Sequence, residues 1–289
     1  MYRGKREHVV IEKGSELYPE ELTQIKNPPD RLYCIGNLKL LKKRKAAVIG
    51  SRKVSTYGRW VAESLGRVLG ENDVAVVSGL AKGADTFGHI GALSVGGNTI
   101  AVLGTAIDRV YPAENRALQA EIERKGLVIS EYPPGYPTQK WNFPFRNRII
   151  AALSENVYLA EAGLGSGSLI TVELANEYNK NVYVVPGNIN SQYNIGSNKL
   201  FNDGASAIVN IEDAVTYMSI KPKSKELLYS NLGSDEIKIM KVLENGAEMT
   251  IDEIAKATHI PPGQVNALVT ILEIKGCLYN SMGKVFVAL

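Results

Sequence analysis

The alternation of short apolar strands with amphipathic helical patterns, which starts at Ala46, is the feature that most constrains the fold. The predicted strands are three to five residues long and apolar at nearly every position; they cover residues 46–49, 74–77, 99–103, 127–129, 156–159, 182–185 and 207–209. Strands that are apolar on both faces are typical of parallel sheets covered by helices on both sides. The sequence therefore predicts an α/β fold with a mainly parallel, doubly wound sheet.

The regions around this pattern predict four parts. Residues 1–45 form an irregular N-terminal extension with a short edge strand at 32–35, and residues 46–219 form the core. Residues 220–234 form a linker. Residues 235–289 show three helices and a small hairpin, with Thr250 and Glu253 as a capping box at the second helix. That order of elements is typical of a winged-helix domain.

The distribution of charge limits how the chain could bind a polyanion. The net charge is +3, but residues 1–45 carry +5, residues 46–219 carry −2 and residues 220–289 carry zero. Phosphate binding must therefore come from a local patch, since bulk charge does not supply it.

Membrane and metal-binding classes are disfavoured by the sequence. No apolar run approaches the ~20 residues that span a bilayer. The N-terminus lacks the apolar stretch of a secretion signal. Cys34 and Cys277 lie far apart and indicate neither a metal site nor a disulfide framework. We therefore predict a cytoplasmic protein with no bound metal or cofactor.

Residues 139–171 carry the strongest functional pattern. An aromatic and basic cluster opens the segment; it comprises Lys140, Trp141, Phe143, Phe145, Arg146, Asn147 and Arg148. Pro144 is expected to interrupt regular structure, so that the Arg-Asn-Arg triplet directly precedes a helix. A glycine-rich turn at 163–167 then opens another helix at Ser168. Cations beside aromatics suit a ligand with phosphates and flat bases, and N–H groups at a helix start suit an anion.

The first strand ends in Gly50-Ser51-Arg52, which does not fit dinucleotide binding. The fingerprint G-x-G-x-x-G would need glycine where Arg52 and Ser55 stand. An acidic residue is also missing at the end of the second strand, where Ser78 stands. Two interpretations of Arg52 remain open: a solvated side chain on a tight turn, or a guanidinium that binds a phosphate.

Other polar residues have plainer interpretations. Asp85 is expected to cap the helix that follows residues 78–85, and His89 is expected to have a structural role. The turn at 163–168 lacks the lysine of a Walker loop. Glu161 and Glu173 flank that turn and could form a carboxylate pair, but their spacing leaves open whether they meet.

Taken together, the ordered motifs resemble the bacterial DNA-processing protein A family (DprA/Smf). The matching runs extend from about residue 18 to residue 213; they are Gly50-Ser51-Arg52, Ser78-Gly79-Leu80-Ala81 with Gly83 and Asp85, residues 99–104, Tyr111-Pro112 with Asn115-Arg116, residues 130–132, Phe143-Pro144 with residues 146–151, residues 166–171, Pro186-Gly187 and Gly204-Ala205.

The resemblance implies an extended Rossmann-like core that binds single-stranded DNA without sequence preference. It also implies delivery of the strand to the RecA recombinase in natural transformation, a homodimer, and no catalytic residues. By motif, Arg52 would hold a phosphate on the turn shaped by Gly50 and Ser51. Lys140 would contact the backbone, Phe143 would pack on a base, and Arg146, Asn147 and Arg148 would line the same pocket. Ser166, Gly167 and Ser168 would form an anion-binding loop.

Two functions from other classes are also considered. A nucleotide phosphoribohydrolase-type enzyme on a related Rossmann-like fold would pair a glycine-rich anion loop with a carboxylate, such as Glu161 or Glu173. A transcriptional regulator would use the tail to bind duplex DNA, but the tail has no net charge. The tail is therefore expected to be an interaction or assembly module.

Overall fold

The chain divides into two compact units, Met1–Pro222 and Lys223–Leu289. A computed structural model describes residues 7–222, 232–243, 248–275, 277–281 and 283–287. Residues 1–6 of the predicted N-terminal extension and 223–231 of the predicted linker lie outside the described residues.

The first unit is built on a nine-stranded sheet. Its strands are β1 Val9–Glu12, β2 Arg31–Gly36, β3 Lys45–Ile49, β4 Ala75–Ser78, β5 Thr99–Leu103, β6 Leu127–Ser130, β7 Asn156–Leu159, β8 Asn181–Val184 and β9 Ser206–Ala207. They lie in the order β1-β2-β6-β5-β4-β3-β7-β8-β9. Strands β3 to β9 are parallel to one another, and β2 is antiparallel to both β1 and β6. The predicted mainly parallel sheet is confirmed.

Helices cover both faces of this sheet, as the apolar strands predict. They are α1 Thr56–Glu71, α2 Ala84–Ser94, α3 Arg116–Lys125, α4 Asn142–Leu153, α5 Ser168–Glu177, α6 Ile195–Lys199 and α7 Asp213–Thr216. In β3, Ala47 and Ile49 pack with α4 and α5, whereas Ala46 and Val48 pack with α1 and α7. This division follows from the alternation of side chains along a strand.

The N-terminal residues contribute to the same sheet and core. The predicted strand at 32–35 is present over Arg31–Gly36, but β1 covers it, so β2 is not at the edge. The side chains of Ile11, Leu22 and Leu40 are buried in the cluster that contains α4. These residues therefore help to position α4, which carries much of the candidate site.

Helix α4 begins earlier than the sequence suggests. Its first residue is Asn142, so the prediction that Pro144 interrupts regular structure is wrong. Proline is tolerated in a first turn because the N–H groups there have no carbonyl partner within the helix. The Arg-Asn-Arg triplet lies inside the helix instead of before it. Successive side chains point about 100° apart on a helix, so Arg146, Asn147 and Arg148 face different surroundings.

Among its described residues, the second unit has three helices and a small antiparallel sheet. The helices are α8 Ser234–Leu243, α9 Ile251–Thr258 and α10 Pro262–Ile274; the strands are β10 Met249–Thr250, β11 Leu278–Ser281 and β12 Lys284–Val287, in the order β10-β12-β11. The capping box is confirmed, since Thr250 N–H donates to the Glu253 carboxylate at 2.8 Å and Glu253 N–H donates to Thr250 Oγ1 at 3.3 Å. Strand β10 is an addition to the predicted hairpin, and the winged-helix assignment stays a prediction.

Candidate nucleic-acid interface

The order of the strands creates a crevice between the ends of β3 and β7. From β3 the chain proceeds through β4, β5 and β6 on one side of the sheet. It then crosses over through α4 to β7, on the other side of β3. Ligands of open parallel sheets bind outside the carboxyl ends of the strands where the direction of winding reverses. The turn at residues 50–52 follows β3, and the glycine-rich turn follows β7, so both lie at this point.

Close packing fixes the turn Gly50-Ser51-Arg52. Ser51 N–H donates to the Glu161 carbonyl at 2.8 Å, and the Ser51 carbonyl accepts from Ala84 N–H at 3.1 Å. A Cβ on Gly50 would lie 2.7 Å from Ala84 Cβ, and one on Gly83 would lie 2.2 Å from the Ser51 carbonyl oxygen. Gly83 also has a φ of +81°. The turn is therefore held on both sides by backbone that a larger residue would displace.

A cavity of about 500 Å³ opens at the crevice. Nine of the eleven predicted site residues line it: Gly50, Ser51, Arg52, Phe143, Arg146, Asn147, Ser166, Gly167 and Ser168. One concave surface is thus formed by the turn at residues 50–52, the glycine-rich loop and α4, although the turn and the loop lie more than 80 residues apart in sequence. The volume is in the range typical of sites that enclose a small ligand or part of a larger one.

Arg52 is the cation most available to a ligand in this cavity. Its side chain is exposed, and no hydrogen bond or ion pair engages its guanidinium among the residues that the structure describes. Lys53, which the sequence did not single out, also lines the cavity and is exposed. Both side chains can therefore turn toward a phosphate without breaking an existing contact.

Arg146 lines the cavity but is committed to the protein. It is 4% exposed, and its Nη1 donates to the carbonyls of Gly79, at 2.6 Å, and of Val102. Burial lowers the pKa of Arg146 to about 10, while the Asp85 carboxylate opposes that change. Arg146 therefore holds the ends of β4 and β5 together beneath the cavity.

Asp85 faces Arg146 and does not cap a helix. The N-cap of α2 is Gly83, and the Asp85 carboxylate accepts from the N–H groups of Gly79, at 3.1 Å, and Ala81, at 3.3 Å. The predicted cap is therefore wrong. Burial raises the pKa of Asp85, and the Arg146 guanidinium and these N–H groups oppose the rise. The carboxylate orders the turn after β4, which lies against the turn that carries Arg52.

The glycine-rich loop provides an open polar wall. Asn147 Nδ2 donates to the Gly167 carbonyl at 3.3 Å, and the hydroxyls of Ser166 and Ser168 lie 2.8 Å apart. A Cβ at Gly165 or Gly167 would meet no atom within 4 Å, so the loop is open on its outer side. Helix α5 begins at Ser168, as predicted. Its first-turn N–H groups and positive dipole end face the cavity and suit an anion.

Arg148 and Lys140 do not line the cavity. Arg148 points to the other side of α4, where Nη2 donates to Glu131 Oε1 at 2.6 Å and Nε donates to the Asn27 carbonyl at 3.1 Å. Its guanidinium also lies 3.8 Å from the centre of the Phe145 ring. Arg148 therefore anchors the N-terminal residues to α4. Lys140 is exposed just before α4.

Phe143 separates the large cavity from a second one of about 110 Å³. Its ring centre lies 5.0 Å from that of Tyr111, and a Cβ on Gly104 would lie 2.8 Å from the Phe143 ring. Arg52, Ala81, Phe143 and Arg146 line both cavities; Lys82, Tyr111 and Thr105 line the smaller one. Tyr111 belongs to a motif quoted above, but its meeting with Phe143 depends on the strand order.

Glu161 and Glu173 lie in different parts of the structure. The buried Glu161 carboxylate accepts from Ser55 N–H at 2.7 Å and from Ser55 Oγ at 2.6 Å, at the start of α1. Glu173 is exposed on α5. Neither lines the two cavities described above. The arrangement gives no support to a catalytic carboxylate pair.

His89 is structural, as predicted. It is fully buried, and its Nδ1 lies 2.7 Å from Thr99 Oγ1. Burial lowers the pKa of His89 to about 3, so the ring is neutral at pH 7. The residues that the structure describes contain no group of His, Cys, Asp and Glu side chains suited to a metal ion. Across the same described ranges, no helix has the length and apolar character needed to span a membrane.

Comparison with known proteins places the chain in a family. Residues 9–219 match the sequence model of the DNA recombination-mediator protein A family. The chain is 45% identical over 200 residues to DNA processing protein DprA of Streptococcus pneumoniae, which covers 69% of this chain and 71% of that protein. The chain belongs to the DNA recombination-mediator protein A family.

Solved structures agree with this assignment. The crystal structure of DNA processing protein A from Streptococcus pneumoniae is 41% identical, with a TM-score of 0.70 over 75% of this chain and 76% of that one. The structure of DNA processing protein A from Helicobacter pylori is 33% identical, with a TM-score of 0.68 over 74% of this chain and 97% of that one. The Helicobacter pylori structure was described for a distinctive single-stranded DNA binding mode of that protein. The extended Rossmann-like core is thereby confirmed.

Proposed function

We propose that this chain binds single-stranded DNA without sequence preference at the crevice between β3 and β7. The observation that carries the proposal is the meeting of an unengaged Arg52, the Phe143 ring and the glycine-rich loop in one cavity. Family membership and the DNA binding described for the Helicobacter pylori relative support the same function.

The shape of the cavity favours a single strand over a duplex. A concave site of about 500 Å³ can enclose an extruded base and its phosphate, but it cannot accept the outer surface of a paired helix. Arg52 and the first turn of α5 would contact phosphates, which carry no sequence information. Phe143 would stack on any base, since every base has a π face.

The role of this DNA binding in the cell is proposed from family membership. The bound strand would be delivered to the RecA recombinase during natural transformation, by a cytoplasmic homodimer that has no catalytic activity of its own. The one carboxylate that we place at the large cavity, Asp85, is engaged by Arg146 and two N–H groups. It is therefore poorly available as a nucleophile or general base.

A salt titration of DNA binding tests the proposal. Arg52→Ala should weaken binding to labelled oligo-dT and reduce the slope of log K against log salt by about 0.7, the single-strand value for one phosphate contact. Arg124→Ala is the matched control, because it removes the same charge from an exposed position on α3. Equal effects of the two variants would count against the cavity as the binding site.

The aromatic contact has its own test. Phe143→Ala should weaken oligo-dT binding by about 1–3 kcal/mol, the contribution of one stacked base. Phe143→Tyr keeps the ring and should bind nearly as well. Trp141→Ala, which removes an exposed aromatic outside both cavities, is the control for general loss of apolar surface. A Phe143→Ala protein that is folded and binds like wild type would contradict the stacking role.

A further inference from the structure

The two cavities beside Phe143 share a wall and a cation. Arg52 lines both, so its guanidinium lies where the phosphate between two adjacent nucleotides would pass. We propose that the smaller cavity takes the base of the neighbouring nucleotide, packed against both Phe143 and Tyr111, and that the Lys82–Glu114 ion pair at its rim restrains entry of the strand. This inference rests on the proposed binding of single-stranded DNA and defines the path of the strand.

Tyr111 supplies a second aromatic surface for this path. Its side chain is 48% exposed, although it belongs to a cavity wall and its ring centre lies only 5.0 Å from that of Phe143. The two rings are tilted by 41°, so they present differently oriented faces to the same opening. A base that enters there would contact both rings. The volume of about 110 Å³ limits the occupant to one flat group, with its sugar and phosphate outside.

Gly104 sets the position of the shared wall. A Cβ at residue 104 would lie 2.8 Å from Phe143 Cδ1 and 3.2 Å from Phe143 Cα. The end of β5 therefore allows the ring to lie close to the sheet, which leaves space on both of its sides. A ring held in this way can separate two consecutive bases without moving.

Lys82 lines the smaller cavity, and Glu114 pairs with it from outside the lining. Their charged groups lie 2.5 Å apart, and the side chains are 56% and 64% exposed. An exposed ion pair of this kind contributes little stability, so a phosphate can replace the carboxylate at the ammonium group. In the free protein, Glu114 neutralises Lys82 and also repels an approaching phosphate. Removal of the Glu114 charge should therefore strengthen DNA binding more than removal of a carboxylate elsewhere on the surface.

The first test is the affinity of Glu114→Gln for labelled oligo-dT at several salt concentrations. We expect binding to be about two- to fivefold tighter than wild type, from the ~1 kcal/mol that an exposed pair can contribute. The salt slope should steepen by about 0.7, because Lys82 becomes a further phosphate contact. Glu121→Gln is the matched control; it frees Lys125 on α3 from a similar pair at 2.8 Å. Equal gains in both variants would assign the effect to bulk charge and overturn the inference.

The second test separates one nucleotide from two. Tyr111→Leu should weaken binding of a thymidine dinucleotide and of oligo-dT by about 5- to 150-fold, the equivalent of one stacked base. It should leave the affinity for thymidine monophosphate unchanged, because that ligand fills only the larger cavity. Tyr111→Phe should restore the wild-type values. An unchanged dinucleotide affinity in a folded Tyr111→Leu protein would overturn the second base position.

Failure of the inference and failure of the proposed function give different results. If wild type does not bind oligo-dT at low salt, the proposed function fails. If wild type binds and Arg52→Ala weakens it, while Glu114→Gln and Tyr111→Leu both bind like wild type, only the second position and its ion pair are refuted.

Discussion

Replacement of Arg146 by methionine should destabilise the first unit by about 3–5 kcal/mol, because it removes the donor of two buried carbonyls and the buried charge that favours the Asp85 carboxylate. Arg146 and Asp85 are 4% and 8% exposed, and Arg146 also donates to the carbonyls of Gly79 and Val102. Methionine fills much of the space but offers no donor. The Asp85 carboxylate would remain buried, with the N–H groups of Gly79 and Ala81 and the Ser78 side chain, but no nearby cation, to stabilise its charge.

The loss should depend on pH because the substitution changes the pKa of Asp85. Burial already raises that pKa, and Arg146 opposes the rise, so Arg146→Met should raise it further. A carboxyl whose pKa is higher in the folded than in the unfolded protein contributes most stability at low pH. That contribution is lost as pH rises from about 3.9, the unfolded value, through the folded value. Arg146→Met should therefore be more destabilised at pH 7 than at pH 4.5, relative to wild type.

Urea unfolding followed by tryptophan fluorescence measures this effect. Trp60 and Trp141 are the two tryptophans of the chain, and both belong to the first unit, so the signal reports on that unit. Asp85→Asn combined with Arg146→Met should lose less stability than the sum of the single variants by more than 1 kcal/mol. Additivity within about 0.5 kcal/mol, or a loss that does not change with pH, would refute the role assigned to the pair.

Three further outcomes follow from single contacts. Gly83→Ala places a Cβ 2.2 Å from the Ser51 carbonyl oxygen, at a residue whose φ is +81°. It should lower the free energy of unfolding by about 1–3 kcal/mol and weaken oligo-dT binding. Unchanged binding would show that the Arg52 turn does not depend on α2. Thr250→Ala removes the capping box of α9 and should lower the free energy of local opening at residues 251–258 by about 0.5–2 kcal/mol, as measured by hydrogen exchange. Thr270→Ala, within α10, should not affect these amides. Because the pKa of His89 falls to about 3, wild type should lose stability as pH drops from about 6.5 toward 3; His89→Leu should show a smaller loss in urea unfolding, and equal slopes would contradict the buried neutral ring.

The sheet was predictable because its strands are short, apolar and regularly interrupted. Residues 99–103 and 156–159 were predicted with the bounds that the structure shows. Strand β1 was not predicted, although its first three residues, Val9, Val10 and Ile11, are apolar. Its position depends on pairing with β2, a contact that local sequence patterns do not encode.

The candidate site was predictable in composition but only partly in geometry. The turn at Gly50-Ser51-Arg52 and the glycine-rich loop follow β3 and β7, so strand order alone brings them together. The different roles of Arg146 and Arg148 in α4 could not be predicted, because Pro144 led to a prediction that the helix starts after these residues. Once that start is known, the 100° step between residues separates Arg146, beneath the cavity, from Arg148, which pairs with Glu131. Neither arginine is as available to DNA as Arg52.

Fluorescence anisotropy of labelled oligo-dT and of a matched duplex, across a salt series, tests the central claim most directly. Wild type should prefer the single strand and lose affinity as salt increases, and Arg52→Ala should bind more weakly with a shallower slope than Arg124→Ala. Equal binding of duplex and single strand, or equal slopes for the two arginine variants, would contradict single-strand binding at the crevice between β3 and β7.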